Sequence, residues 1–372
     1  MPHGGALPSC VIAHMLQFCG PDTVLKVACT GAWRWNTGSP EAQRQVIAAR
    51  RLCAIATSIR YSPGCSYPLW PFEFRGCRYI ALVAVARNGY ALQDAASELR
   101  ADKEVVLGAV RRNGCALRYA ASALTADKEV VLAAVRENGC ALEYAASDLT
   151  ADKEVVLVAV SNNGYALRCA AGDLRADKEV LLAAVSNNGY ALQFAADHMQ
   201  ADKEVVLAAI EQNACALRCA AGDFTADKEV VLAAVSNNGY ALQFAAGNLR
   251  ADKEVVLVAV AHYGDALQYA ASDLRADKQV VLAAVSNNGN ALRCADSDLR
   301  VDKEVVLAAV TNNGYALQFA AGGLRADKGV VLAAVAQNRY ALQFSAAEIR
   351  EDKEVVAASI LWADQAAMDD AW

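Results

Sequence analysis

The chain has 372 residues, of which 55% are apolar, and its formal charge is −6. Acidic and basic residues are interleaved, which argues against a dedicated nucleic-acid binder, since such a protein would present a basic stripe. No apolar run approaches the roughly 20 residues of a membrane span, and no secretory signal is readable at the N-terminus. We therefore expect a cytoplasmic or nuclear protein that does not enter a membrane.

The distribution of proline divides the chain, because all seven prolines lie within the first 71 residues. This compositional step predicts a boundary between an N-terminal module and the rest. We expect a module of short helices over residues 1–60 and an aromatic and proline-rich connector over 61–76. Tandem repeats would follow over 77–351, and a capping repeat over 352–372.

The N-terminal module carries a spaced set of apolar residues. They are Leu7, Pro8, Met15, Leu16, Phe18 and Trp33, with Pro21-Asp22 between the last two. This pattern resembles the F-box, a family whose short helices dock on a Skp1-type adaptor of a cullin ubiquitin ligase. The resemblance implies that the six apolar residues form or support the adaptor-binding surface.

The same module departs from the F-box pattern at three positions. Cys10 stands where an acidic residue is usual, and Cys19 and Thr23 stand where leucine is usual. The alternative is a plain helical cap, because a solenoid needs its terminal apolar face sealed. The sequence leaves both interpretations open.

From residue 77 onward the chain repeats every 25 residues without insertion or deletion. The opening aspartate of each unit marks the period: Asp102, Asp127, Asp152, Asp177, Asp202, Asp227, Asp252, Asp277, Asp302, Asp327 and Asp352. A fixed period of this length indicates stacked units that cannot bury their apolar faces alone. We predict an all-α solenoid of tandem 25-residue helix-turn-helix repeats.

Residues 227–251 serve as the type unit, with Asp227 as position 1. Asp227 is a predicted N-cap for a first helix, helix A. The predicted inward side chains of helix A are Val231, Leu232, Ala234 and Val235. Asn238-Gly239 ends the helix, and Gly239 is expected in the left-handed C′ conformation. Ala214 and Arg339 replace this glycine in two repeats, and their turns are expected to be strained.

The second half of the unit has helical spacing from Tyr240 onward. Five apolar residues fall at i, i+1, i+4, i+5 and i+8, which predicts a second amphipathic helix, helix B. These residues are Ala241, Leu242, Ala245, Ala246 and Leu249. The unit resembles the repeat family called domain of unknown function 4116, through its Asp-Lys-Glu-Val-Val-Leu opening, its Asn-Gly-Tyr-Ala-Leu middle and its period. The resemblance covers residues 77–361 and implies a fold but no biochemistry.

Position 17 varies between repeats while the framework barely changes. Its residues are Gln93, Arg118, Glu143, Arg168, Gln193, Arg218, Gln243, Gln268, Arg293, Gln318 and Gln343. Such a stripe is what a modular surface for a protein ligand needs, although exposed positions also drift freely. Position 18, almost always Phe, Tyr or Cys, is expected to pack between repeats.

These features favour a non-enzymatic protein-interaction scaffold, with or without a ubiquitin-ligase link through the F-box-like module. The alternative is a structural or effector-like solenoid with a plain cap, and an RNA-reading array is less favoured given the negative charge. We expect no cofactor and no catalytic site, because the four histidines fall in unrelated registers. We expect no metal site either, since no matching ligand pair stands near Cys215 and Cys219.

Overall fold

A computed structural model describes residues 75, 76 and 78–360 of the chain. The described residues form α-helices and 3-10 helices and contain no strand, so the predicted all-α solenoid of 25-residue repeats is confirmed. They fall into two compact units divided between Leu174 and Arg175, and each unit is a stack of repeats. The expectations for residues 1–74 and 361–372 lie outside the described residues.

Helix A recurs as a ten-residue α-helix. Its copies are Arg78–Arg87, Lys103–Arg112, Lys128–Glu137, Lys153–Asn162, Lys178–Asn187, Lys203–Gln212, Lys228–Asn237, Lys253–His262, Lys278–Asn287, Lys303–Asn312 and Lys328–Gln337. Residues 353–360 are also helical. The predicted N-cap is confirmed, since Asp227 Oδ1 accepts hydrogen bonds from the backbone N–H groups of Glu229 (3.0 Å) and Val230 (3.3 Å).

The buried side of helix A differs slightly from the prediction. Val230, Val231, Ala234 and Val235 are fully buried, whereas Leu232 is half-buried. Positions 4, 5, 8 and 9 lie on one face of an α-helix, and position 6 lies outside that face. The fourth core residue of helix A is therefore Val230 and not the predicted Leu232.

A single helix B does not form, and that prediction is wrong. Each repeat instead has a six-residue 3-10 helix after helix A. These are Gly89–Asp94, Gly114–Tyr119, Gly139–Tyr144, Gly164–Cys169, Gly189–Phe194, Ala214–Cys219, Gly239–Phe244, Gly264–Tyr269, Gly289–Cys294, Gly314–Phe319 and Arg339–Phe344. In the type unit, Ala245 and Ala246 are then extended, with ψ of 147° and 158°.

A short helical turn completes most repeats. The four-residue α-turns are Ser97–Arg100, Ser122–Thr125, Ser147–Thr150, Asp197–Gln200, Gly247–Arg250, Ser272–Arg275, Gly322–Arg325 and Ala347–Arg350. The shorter 3-10 turns are Leu174–Ala176 and Asp223–Thr225. The second half of the repeat is thus a 3-10 helix, an extended pair and a short turn.

A hydrogen bond to the preceding repeat explains the break in the predicted helix B. The backbone N–H of Ala246 donates to the carbonyl oxygen of Thr225 at 2.7 Å. Alanine intrinsically favours an α-helix, but tertiary context overrides propensity. An extended Ala246 can reach the neighbouring carbonyl, which a continuous helix would not allow.

The buried residues of this second half were nonetheless predicted well. Ala241, Leu242, Ala245 and Leu249 are buried, and Ala246 is half-buried. The short elements place these side chains on the core side although their backbone is not one helix. The apolar pattern of the sequence determines which side chains are buried here, and more than one backbone conformation can bury the same set.

The glycine at position 13 has a different role from the predicted one. Among the described glycines only Gly222 has a positive φ, at 79°, so Gly239 is not a left-handed cap. A Cβ atom on Gly239 would collide with the backbone carbonyl oxygen of Ala259 in the next repeat. Glycine suits this position because two backbones approach closely there, and a side chain would force one of them to shift.

The 3-10 helix begins with its own cap. Asn238 has extended backbone angles, and its Oδ1 accepts from the N–H of Tyr240 at 3.0 Å. Where Ala214 replaces the glycine, the 3-10 helix persists. The same repeat contains Gly222 and the 3-10 turn Asp223–Thr225 in place of an α-turn. The expected strain at Ala214 and Arg339 stays a prediction.

We predict that Gly239→Ala lowers the free energy of unfolding by about 1–3 kcal/mol, because the added methyl group overpacks a close backbone contact. Chemical denaturation followed by circular dichroism measures this change. Gly322→Ala is the matched control, since a Cβ atom there meets nothing within 4 Å. Equal stability of the two variants would contradict the close-approach explanation.

Candidate interaction surface

The lysine at position 2 joins consecutive repeats within each unit. Lys103 Nζ lies 2.7 Å from Asp127 Oδ2 and 2.9 Å from Glu129 Oε2. The same bridge to the next aspartate is made by Lys128, Lys178, Lys203, Lys228, Lys253, Lys278, Lys303 and Lys328. We call this series of lysine–aspartate pairs the lysine ladder.

The lysine ladder changes the acidity of its carboxyl groups. The hydrogen bond from Lys103 lowers the pKa of Asp127 below its ordinary value, and burial opposes this shift. Asp127 and Glu129 in turn raise the pKa of Lys103. Within a unit, each aspartate of the ladder therefore caps its own helix and binds the previous repeat. Sequence reasoning found only the cap, although the invariant Asp-Lys pair was a signal for the second role.

Position 11 supplies a second link between repeats. Asn162 Oδ1 accepts from the backbone N–H of Gly139 at 2.7 Å, and its Nδ2 donates to the carbonyl oxygen of Arg136 at 3.0 Å. Asn287 and Asn312 make the same pair of bonds. The repeated asparagines are therefore structural, because they satisfy backbone groups of the neighbouring repeat.

The position-17 stripe lies mostly on the surface, as predicted. Exposed members are Arg118, Glu143, Arg168, Gln193, Arg218, Gln268, Arg293, Gln318 and Gln343, while Gln93 and Gln243 are half-buried. Their proposed binding role stays a prediction. Gln193 and Gln318 fold back, each Nε2 donating to the carbonyl oxygen at position 14 of its own repeat.

Several stripe residues contact the adjacent repeat. Arg168 Nη2 lies 2.6 Å from Glu143 Oε2, so two predicted site residues are brought together. The guanidinium of Arg118 lies 5.2 Å from the ring centre of Tyr119 and 5.7 Å from that of Tyr144. These contacts make the stripe a laterally connected surface rather than a set of independent side chains.

Aromatic residues at positions 14 and 18 pack against each other across repeats. The Tyr240 ring contacts Phe244 of its own repeat edge-on, and in the next repeat it contacts Tyr269 at position 18 and Tyr263 at position 12, with ring centres 5.8–6.4 Å apart. The Tyr90–Tyr119 and Tyr315–Phe344 pairs repeat the position 14-to-18 contact at 6.2 and 6.0 Å. Within each unit, positions 14, 17 and 18 form a surface that we call the 3-10 face.

Cysteines occupy the aromatic positions in some repeats. The described ones are free and half-buried: Cys115, Cys140, Cys169, Cys215, Cys219 and Cys294. Burial raises the pKa of the Cys115 and Cys219 thiols, which disfavours the reactive thiolate. Over residues 75–76 and 78–360, no group of three or more potential ligands could hold a metal ion.

The repeat geometry agrees with a comparison against protein families. The model of a domain of unknown function, DUF4116, matches residues 77–125, 127–175, 177–225, 227–275, 252–300, 277–325 and 302–350. The chain belongs to this family. No curated protein and no solved structure matches the chain significantly.

Two further expectations from the sequence concern the F-box-like residues and the absence of membrane-spanning helices. The F-box-like residues Leu7, Pro8, Met15, Leu16, Phe18 and Trp33 lie outside the described residues. Within the part of the chain that the structure describes, no helix is long and apolar enough to cross a membrane.

We predict that the lysine ladder makes stability depend on pH in the acid range. The ladder lowers the pKa of aspartates such as Asp127 from an ordinary value of 3.8, so its stabilisation is present above about pH 4 and is lost as the pH falls through the folded-state pKa. Thermal unfolding at pH 2.5–7 should show the decline. The triple variant Lys128→Gln, Lys203→Gln, Lys228→Gln should be less stable than the parent at pH 7 and converge with it in acid.

Lys353 provides the control for this series, because it makes no ion pair with a described residue. Lys353→Gln should leave both the stability at neutral pH and its decline in acid unchanged. A constant difference between the triple variant and the parent at every pH would contradict the assignment to carboxylate pairing.

Proposed function

We propose that this protein is a non-enzymatic scaffold of the cytoplasm or nucleus that binds protein ligands through its 3-10 face. One observation carries the proposal. The lysine and aspartate side chains that repeat without change are paired between repeats within each unit, whereas the variable side chains at position 17 of the 3-10 face are mostly exposed. A copied framework with a variable surface suits recognition of a specific partner.

The chemistry of the 3-10 face supports a protein ligand. Tyrosine and arginine are the residues that most often dominate binding at protein interfaces. Tyr165, Tyr240 and Tyr340 are 36%, 38% and 54% exposed, although large aromatic side chains usually gain from burial. Arginine and glutamine at position 17 stand beside them and can donate hydrogen bonds to a bound chain.

We predict that truncating the exposed tyrosines removes partner binding. The full-length chain and a Tyr165→Ala, Tyr240→Ala, Tyr340→Ala variant would be compared by affinity purification with quantitative mass spectrometry. Partners should be depleted about tenfold or more, because each lost hot-spot tyrosine costs on the order of 1–2 kcal/mol. Circular dichroism verifies that the variant keeps its helices.

Val301→Ala with Ile360→Ala is the matched control, since these exposed apolar residues lie outside the 3-10 face. The control should retain the partners that the tyrosine variant loses. Identical partner lists for the parent and both variants would reject the 3-10 face as the binding surface.

A finer proposal concerns the N-terminal module. We infer from the F-box-like residues that this module recruits a Skp1-type adaptor, which would make the scaffold a substrate receptor of a ubiquitin ligase. The support is the spacing of Leu7-Pro8, Met15-Leu16 and Trp33 alone. A plain cap with no ubiquitin link is the alternative.

We predict that the full-length chain co-purifies with a Skp1-type adaptor and that Leu16→Asp abolishes this, because a charge would be placed in an apolar contact. Ser297→Asp, which adds the same charge at an exposed position of a repeat much later in the sequence, is the control. Failure of the parent protein to bind the adaptor would reduce the module to a cap and leave the 3-10 face proposal intact.

A further inference from the structure

The second unit carries a row of arginines at position 24, in the short turn before helix A. Arg250, Arg275, Arg300 and Arg325 occupy this position in four consecutive repeats. We call these four residues the arginine row. Elsewhere in the array position 24 holds other side chains too, including Thr225 and Gln200, so arginine is not required for the fold.

The backbone holds the arginine row in register. The carbonyl oxygen of each arginine accepts a hydrogen bond from position 20 of the next repeat. For Arg250, Arg275, Arg300 and Arg325 these bonds measure 2.8, 2.9, 3.0 and 2.8 Å. The four side chains therefore leave the backbone at equivalent points, one per repeat.

The guanidinium groups of the arginine row have no partner within the described residues. The four side chains form no ion pair or side-chain hydrogen bond there, and each Nε is buried and unpaired. Each of the four arginines is half-buried as a residue, and its terminal Nη atoms are not among the buried unpaired atoms. Several other basic groups of this unit differ, since Lys228, Lys278 and Arg293 are paired with carboxylates.

A polar residue at position 24 can find partners within the protein. Arg350 donates from Nη2 to the carbonyl oxygens of Gln343 and Ser345, at 2.8 and 2.9 Å. Gln200 donates to the carbonyl oxygens of Gln193 and Ala195. The four side chains of the arginine row make no such bonds, so their Nε donors stay without a partner in the described residues.

Few acidic groups compete for the arginine row. Asp296 is close enough to Arg300 for the positive charge to contribute to the lowered pKa of this carboxyl, after the larger effect of hydrogen bonds from Asp298 N–H and the Ser297 hydroxyl. Asp273 and Asp298 lie at the exposed position 22 of their repeats and form no ion pair with these arginines. The row therefore keeps unneutralised positive charge on an acidic protein.

We propose that the arginine row binds an acidic, extended segment of a partner protein, with one carboxylate per repeat. Guanidinium groups bind carboxylates in a bidentate manner through two nitrogens. Packed helices are spaced about 8–10 Å apart, and a polyproline II chain advances about 9 Å in a turn of three residues. A segment with an acid at every third residue thus matches the row.

An acidic peptide fits this surface better than a nucleic acid. A nucleic-acid site would need a broad basic area, since phosphate contacts dominate such binding. The arginine row is one residue wide, and the lysine ladder is paired with carboxylates. The proposal concerns a second surface and does not rest on the function proposed for the 3-10 face.

The test measures fluorescence anisotropy of a labelled peptide of five Glu-Pro-Pro triplets added to the full-length chain. The parent should bind it more tightly than a peptide of the same composition with its glutamates in one block. Arg275→Gln, Arg300→Gln, Arg325→Gln should weaken binding at least about tenfold, because three charge-assisted contacts are lost. Gln200 shows that glutamine is accommodated at position 24.

The matched control is Arg118→Gln, Arg168→Gln, Arg218→Gln, which removes the same charge from the 3-10 face at a position that holds glutamine in other repeats. It should bind the triplet peptide within about twofold of the parent. Thr225→Arg extends the row by one repeat and should tighten binding about threefold. Misfolding could explain weaker binding by a variant, but it could not explain tighter binding.

Three outcomes would overturn the proposal. The first is no binding of the triplet peptide, and the second is equal weakening by the two arginine triple variants. The third is tighter, row-dependent binding of a 15-nucleotide single-stranded RNA, which would assign the row to nucleic acid instead.

Discussion

A backbone hydrogen bond between repeats determines the architecture of each stack. The N–H at position 20 donates to the carbonyl oxygen at position 24 of the preceding repeat, as from Ala246 to Thr225 at 2.7 Å and from Ala121 to Arg100 at 2.8 Å. A buried backbone group left without a partner is costly, so the chain bends to make this bond. The bend divides the second half of the repeat into a 3-10 helix and a short turn, and it fixes where positions 17 and 24 emerge.

Most of the repeated polar residues serve the same purpose as that bond. Asp127 caps its helix and accepts from Lys103, and Asn162 bridges to the backbone of the preceding repeat. A repeat cannot bury its apolar face alone, so these contacts hold each unit against its neighbours. The polar groups of these residues already have partners in the framework, and the surfaces proposed to bind other proteins are the variable 3-10 face and the arginine row.

The two surfaces differ in what they offer. The 3-10 face combines aromatic rings with residues such as Arg118 and Glu143, which contact their neighbours across repeats. The arginine row offers unpaired charge at regular intervals, as at Arg275 and Arg300. In the proposed scaffold, the 3-10 face would supply an apolar contact and the arginine row an electrostatic one, and electrostatic contacts favour rapid association and selectivity.

The sequence by itself determined the period, the first helix with its aspartate cap, and most of the core. These features depend on local chemistry and on apolar spacing, which single repeats display. Only the tertiary structure decided the broken second helix, the need for Gly239, the pairing of Lys103 and the unpaired state of Arg275. Each of these depends on atoms of the adjacent repeat, whose distance and direction follow from packing and cannot be derived from one repeat alone.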